Sequence, residues 1–370
     1  MQVWILSEYG KPIFSSCGCE NELSDKFALV HTLVKRYEAW GDDLLSLQTK
    51  SLFIRFCRRS PLILCIISKQ PFNLSVQLDM VYDQVVSILS KTRLEQIYAK
   101  KNNFDLRDWL TDIDKRVDAC MKGFNEDPVI FFSGFRILPL AYTDREFLHN
   151  TMANEINQTG ADHVVFGILV AHRQLVVMVR QKNFNLNATD FSILISFIEC
   201  HSFQIGQSEN FIPICLPHYN PDGCFYAYIS YLWEGKGPCL ILFSNSGFKE
   251  LDPSYTLKNI RMRFEEKINA WEKEKVIHLK NSLIHPDSTI KMETGDLWHF
   301  VYKNMYMDSS QICCSSPQKP WITPEEIATL NNGPLVTQKT AMIIAEKMLR
   351  ILRQDEKRVF FLIPPGVLNG

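Results

Sequence analysis

Val3-Trp4-Ile5-Leu6-Ser7-Glu8-Tyr9-Gly10-Lys11-Pro12-Ile13-Phe14-Ser15-Ser16 opens the chain as two short apolar runs joined through a glycine-containing turn. That pattern predicts a β-hairpin, Val3 to Glu8 followed by Ile13 to Ser16. Downstream, Phe27, Val30, Leu33, Val34 and Tyr37 recur at helical spacing, with Lys26, Lys35 and Arg36 facing elsewhere. Two further apolar runs, Ser51 to Cys57 and Leu62 to Ser68, read as strands. Pro61 between them has no N–H to donate to a ladder and belongs at a turn or strand edge. Leu78, Val81, Val85, Ile88 and Leu89 then predict one long helix running towards Lys101. The order ββ-α-ββ(β)-α describes an antiparallel sheet with helices packed on it.

After a mainly helical connector, 106–150, the same order returns. Val164 to Ala171 and Leu175 to Arg180 predict a hairpin around His172-Arg173-Gln174. A helix begins at Asn187, where Asp190 three residues on resembles the acidic half of a capping box. Phe211 to Leu216, Phe225 to Leu232 and Cys239 to Phe243 predict three strands, and one long charged helix spans Tyr255 to Asn281. A third segment starts near Asp296. It holds a short element with Leu297, Phe300 and Val301, a polar linker from Ser309 to Pro324, a helix over Ala341 to Leu352 and a strand from Val359 to Ile363. The fold class is therefore α+β, with domains at 1–105, 151–285 and a shortened 296–370.

At 370 residues the chain exceeds one typical hydrophobic core. Its 40 basic and 41 acidic residues give a formal net charge of −1, which disfavours a nucleic-acid binder driven by charge. The N-terminus lacks a basic n-region and meets Glu8 too early for a signal peptide. No apolar run approaches the roughly 20 residues of a membrane span. The 11 cysteines are scattered and read as reduced, buried small hydrophobes; the sequons at Asn73, Asn157 and Asn187 then carry no weight.

The sequence carries no complete catalytic signature. Gly333-Pro334-Leu335-Val336-Thr337-Gln338-Lys339-Thr340 has the outline of a phosphate loop, but Gln338 occupies a required glycine position. Cys17-Gly18-Cys19 and Cys313-Cys314 lack a nearby histidine or second pair to complete four metal ligands. His163, His172 and His201 are dispersed, and no cofactor fingerprint occurs. Binding, rather than covalent catalysis, is the expected activity.

Four stretches resemble the Mon (SAND) family in that family's order. They are Leu6 to Ile13, then Phe56-Cys57-Arg58-Arg59-Ser60-Pro61-Leu62, then Pro213-Ile214-Cys215-Leu216-Pro217 with Ala227-Tyr228-Ile229-Ser230-Tyr231-Leu232, and Asp296-Leu297-Trp298-His299-Phe300-Val301-Tyr302-Lys303. The resemblance implies tandem longin-like domains. It further implies a heterodimer with a Ccz subunit, acting as a guanine nucleotide exchange factor for a late-endosomal Rab GTPase of the Rab-seven type. The family's setting is endosome maturation, autophagy and vacuole or lysosome fusion, with cytoplasmic protein recruited peripherally to those membranes. An early-endosomal Rab and a phosphoinositide membrane surface are further candidate partners; nucleic acid is not. The rival expectation is a longin-domain scaffold or adaptor without exchange activity.

Within the resemblance, Phe27, Lys35 and Arg36 on the first helix and Arg58-Arg59 at the basic turn are candidates to face the GTPase or Ccz. The alternative places Phe27 in the core and leaves the basic residues as a solvated face. Phe211 stands where related proteins commonly carry tryptophan, as an aromatic anchor for the GTPase or as an inward-facing strand residue. Two departures from the family pattern stand out. The chain begins at the hairpin without a polar extension, and the segment between Ile327 and Thr340 is short for a complete third domain.

Overall fold

The structure, a computed structural model, describes residues 1–18, 22–69, 71, 73–110, 112–126, 134–159, 163–182, 184–200, 209–233, 237–245, 253–285, 299–304, 311–314 and 358–363. The described residues fall into two compact units, the first drawn from 1–127 with 189–204 and 214–224, the second from 128–188, 205–213 and 225–370.

In the first unit, the opening hairpin is β1 (Gln2–Ser7) and β2 (Pro12–Ser15), followed by helix α1 (Ser24–Ala39). Strands β3 (Ser46–Gln48), β4 (Phe53–Arg59) and β5 (Leu62–Ser68) complete a five-stranded antiparallel sheet in the order β2-β1-β5-β4-β3. The turn needs Gly10: its φ is +85°, and an added Cβ would lie 3.1 Å from the His31 ring. Because successive strand residues point to opposite faces, β1 and β5 serve two cores. Val3, Ile5, Leu62, Leu64 and Ile66 join the core beneath α2 (Leu74–Leu89), while Trp4, Leu6, Ile63 and Cys65 meet Phe27, Val30 and Val34 of α1. Coverage on both faces explains why β5 is apolar throughout rather than alternating.

The single helix expected from Leu78 towards Lys101 is two helices, α2 and α3 (Lys91–Lys100). Ser90 breaks it: its φ is +59°, and its hydroxyl accepts the backbone N–H of Arg93 as the cap of α3. Helix α4 (Ile113–Glu126) then buries Ile113 and Val117 in the same core as α2.

Sheet two has the order β8-β7-β11-β10-β9, built from β7 (Val164–Ala171), β8 (Gln174–Arg180), β9 (Glu209–Leu216), β10 (Asn220–Tyr231) and β11 (Cys239–Ser244). His172 and Arg173 both have positive φ, the backbone a two-residue hairpin loop requires. Helix α5 (Tyr142–Gln158) lies close enough to β7 that a Cβ on Gly167 would meet Met152 Sδ at 2.9 Å. The long charged helix expected over Tyr255 to Asn281 is broken into α7 (Pro253–Asn269) and α8 (Lys273–Ile284). At the break, Trp271 stacks on Phe147 of α5 with ring centroids 3.9 Å apart. Helix α6 (Ala188–Cys200) lies between β8 and β9 in the chain, and most of it groups with the first unit.

The connector is not wholly helical. Its Phe135–Arg136 forms β6, which runs parallel to β13 (Gln311–Cys314) in a third sheet of order β14-β12-β13-β6, with β12 (His299–Asn304) and β14 (Arg358–Ile363). The element at Phe300 is thus a strand. The helix expected over 341–352, the phosphate-loop outline at 333–340 and the shortened segment at 327–340 lie outside the described residues.

Two cysteines depart from the reduced reading. Cys215 and Cys224 form a disulfide across the β9–β10 pair, Cα atoms 4.2 Å apart. Strand pairing brings residues nine apart face to face, which spacing along the chain did not reveal. Cys65, Cys120 and Cys239 are buried thiols, as expected for small hydrophobes.

Candidate functional interface

Helix α1 places one stripe on the sheet and turns the opposite face to solvent. Its apolar spacing drives Phe27, Val30 and Val34 inward. Leu29, off that stripe, is 60% exposed; Trp40, at the helix end, is 63% exposed, and Leu45, in the following loop, is 54% exposed. Burial in water-excluded contact favours such side chains by about 1.5–3 kcal/mol each, so their exposure marks them as candidates for contact with another protein. Trp40 is held in place by Tyr37, edge-on with centroids 5.4 Å apart, and by the Arg36 guanidinium 5.0 Å above its ring.

A chain of ion pairs ties α1 to the end of β4. Arg58 Nε meets Glu8 Oε1 at 2.6 Å, and its Nη2 meets Glu38 Oε1 at 2.7 Å. Lys35 Nζ adds a 2.8 Å contact to Glu38 Oε2, and the Ser60 hydroxyl donates to Glu8 Oε2 at 3.0 Å. Arg59 turns away to Asp79 on α2, at 2.8 Å, near the Tyr82 ring. The Lys35 hydrogen bond holds the Glu38 carboxyl below its ordinary range, with Arg58 adding to it. The Glu8 hydrogen bond raises the Arg58 pKa. These pairs are largely solvent-screened and fix side-chain geometry more than they stabilise the fold.

The sequence candidates separate accordingly. Phe27 is corrected: it is fully buried, 5.3 Å from Trp4 ring to ring, and offers no surface to a partner. Lys35, Arg58 and Arg59 sit at the surface, each engaged with a carboxylate of its own chain, while Arg36 covers Trp40. Phe211 is partly buried, stacked on Tyr226 at 5.4 Å and packed against the second unit's core. The sequence reading missed Leu29, Trp40 and Leu45. The available signal was that these large apolar residues fall outside the inward stripe of α1.

Among the described residues, no cluster of three or more His, Cys, Asp or Glu side chains is placed to hold a metal, and no helix is long and apolar enough to cross a membrane. Burial raises the pKa values of the Cys65, Cys200 and Cys239 thiols, which keeps them protonated and unreactive.

Comparison with known proteins agrees with this architecture. Residues 1–119 match the family described as "First Longin domain of FUZ, MON1 and HPS1", and residues 162–255 match "Second Longin domain of FUZ, MON1 and HPS1". The chain is 29% identical over 406 residues to "Vacuolar fusion protein MON1 homolog A" of Homo sapiens, covering 98% of this chain and 61% of that protein. To the Gallus gallus protein of the same name it is 28% identical over 408 residues, covering 98% and 72%. To "Vacuolar fusion protein MON1" of Yarrowia lipolytica it is 31% identical over 257 residues, covering 68% and 46%. With two longin domains in the order found here and a match to MON1 proteins along nearly its whole length, the chain belongs to the MON1 (SAND) family.

Proposed function

We propose that this chain acts in vacuole or lysosome fusion as one subunit of a heterodimeric guanine nucleotide exchange factor, its partner a Ccz-type subunit and its substrate a late-endosomal Rab GTPase. The observation that supports the reading best is the exposure of Leu29, Trp40 and Leu45 on and just after α1, with Trp40 held by Tyr37 and Arg36 and the Arg58 ion pairs reaching Glu38 of the same helix. The names of its MON1 relatives support the vacuole-fusion setting.

The mechanism needs no nucleophile. A GTPase keeps its nucleotide partly through an ordered switch loop and Mg²⁺. A surface that binds the open switch more tightly than the closed one weakens nucleotide binding by the same coupling free energy. Side chains fixed before binding, as Trp40 is, lose less entropy on association.

A binding measurement tests the thermodynamic half of this. The chain with its Ccz-type partner is expected to bind nucleotide-free GTPase at least about tenfold more tightly than the GDP-loaded form, a coupling of about 1.4 kcal/mol. Equal affinity for both forms would leave a scaffold. Within the same complex, Phe211→Ala is expected to slow nucleotide release while the heterodimer stays intact on gel filtration. Unchanged release removes Phe211 from the GTPase contact and leaves it as a strand residue stacked on Tyr226.

A further inference from the structure

The first unit contains a group of titrating side chains unrelated to the α1 surface. His218, in the turn between β9 and β10, places Nε2 2.9 Å from Oδ2 of Asp83 on α2. Its backbone N–H donates to Oδ1 of Asp190, in the first turn of α6, at 3.1 Å. One residue thereby joins α2, α6 and the turn. Asp190 is fully buried, and its Oδ2 has no hydrogen-bond partner among the described residues. Asp83 is itself 8% exposed. At the far side of the turn, Thr92 of α3 donates to Asp222 at 2.6 Å.

We propose that Asp83, His218 and Asp190 form a proton-operated clasp that holds the β9–β10 turn and α6 against α2, tight when His218 and Asp190 carry protons and loosened when they lose them. A buried carboxylate with an unpartnered oxygen is costly as an anion and far less so as an acid. The imidazole beside Asp83 is better held as a cation than as a neutral ring.

From α2 come the charges of Asp83 and Asp79, the latter engaged by Arg59 of β4. From α6 comes Asp190, and the start of β10 adds Asp222, which takes the Thr92 hydroxyl. Among the described residues, α4 also sets a charge against the two clasped helices: the Arg116 guanidinium donates to the Ser87 hydroxyl of α2 and lies 4.5 Å over the Phe197 ring of α6. The Asp83 hydrogen bond raises the His218 pKa above 6.5 against the opposing effect of burial, and the charges of Asp83 and Asp79 add to it; Asp190 adds to it only while ionised. Burial pushes Asp190 up from 3.8 to about 6, against the backbone N–H and the charge of His218 and the backbone N–H of Tyr219.

The signs agree. A histidine raised in the folded state contributes stability that is complete below 6.5 and fades as pH rises through its folded value. A carboxyl raised to about 6 costs stability as pH climbs from 3.8 through that value, because folding must then bury the anion. Both terms favour the closed clasp at about pH 6 over pH 8.

Hydrogen exchange on the full chain reads this directly, after correction for intrinsic chemical rates. Amides of the β9–β10 turn and α6 are expected to open at least about threefold more at pH 8 than at pH 6, relative to the β7 amides. The His218→Gln, Asp190→Asn double variant is expected to abolish that ratio. Asp190→Asn alone is expected to increase protection at pH 8, the reverse of an ordinary core substitution. An unchanged ratio in the double variant, or a wild-type ratio of one or below, overturns the clasp. Independent of any variant's folding, the His218 ring proton signal must titrate above 6.5 in the wild-type protein; a midpoint below it also overturns the proposal.

Discussion

Replacing Phe27 with alanine lowers the stability of the first unit by about 3–5 kcal/mol, whether or not a partner is present. The side chain is fully buried between the first sheet and α1, against Trp4 and within reach of Val30, Val34, Phe56 and Cys65. Alanine removes the aromatic ring's transfer energy and leaves a cavity that the strands, fixed by ladders on both sides of β1, cannot close. Urea unfolding followed by tryptophan fluorescence measures the loss, since Trp4 lies in the affected core. A loss under about 1 kcal/mol combined with failure to bind a partner would return Phe27 to the interface and contradict its placement.

Trp40→Ala is expected to do the opposite. The ring is mostly exposed, so the unfolding midpoint should change by no more than about 0.5 kcal/mol. Affinity for the partner that covers the α1 end should fall by about 2 kcal/mol or more, roughly 30-fold, because tryptophans at interface centres carry a disproportionate share of binding energy. Titration calorimetry with the Ccz-type subunit and with the GTPase, each separately, identifies which of the two it meets. Unchanged affinity for both removes the α1 end from either contact. The pair Phe27 and Trp40, thirteen residues apart in one helical segment, thus separates stability from binding.

The strand content was legible because short apolar runs and the turn residues that bound them are local signals. Val3 to Ser16, Leu62 to Ser68 and Val164 to Ala171 all stand where their patterns placed them. The two helix breaks were hidden for different reasons. Ser90 adopts a left-handed φ that a serine rarely takes, and apolar spacing on either side continues across it. At Ala270 to Glu272 the chain turns where Trp271 packs on Phe147, a contact more than one hundred residues away in sequence. Propensity carries no information about such a partner.

Which side chains of α1 face inward and which outward was legible for a related reason. Helical periodicity separates inward from outward residues, and it put Lys35 and Arg36 outside. It also marked Phe27 as a stripe residue, which decides against a binding role once the stripe faces the sheet. What no linear pattern conveys is engagement: Arg58 looks like a free cation in Arg58-Arg59-Ser60-Pro61, yet Glu8 from the turn after β1 and Glu38 from α1 arrive to share it. Asp190 looked like a helix cap, and the fold gives its carboxylate to the backbone of His218, twenty-eight residues on.

Release of a fluorescent guanine nucleotide from a late-endosomal Rab GTPase, with this chain, a Ccz-type subunit or both, tests the exchange proposal most directly. Release is predicted to accelerate by at least about tenfold with both subunits present, and by much less with either alone. Release at the intrinsic rate in every combination, from a pair that demonstrably forms a complex, would contradict it.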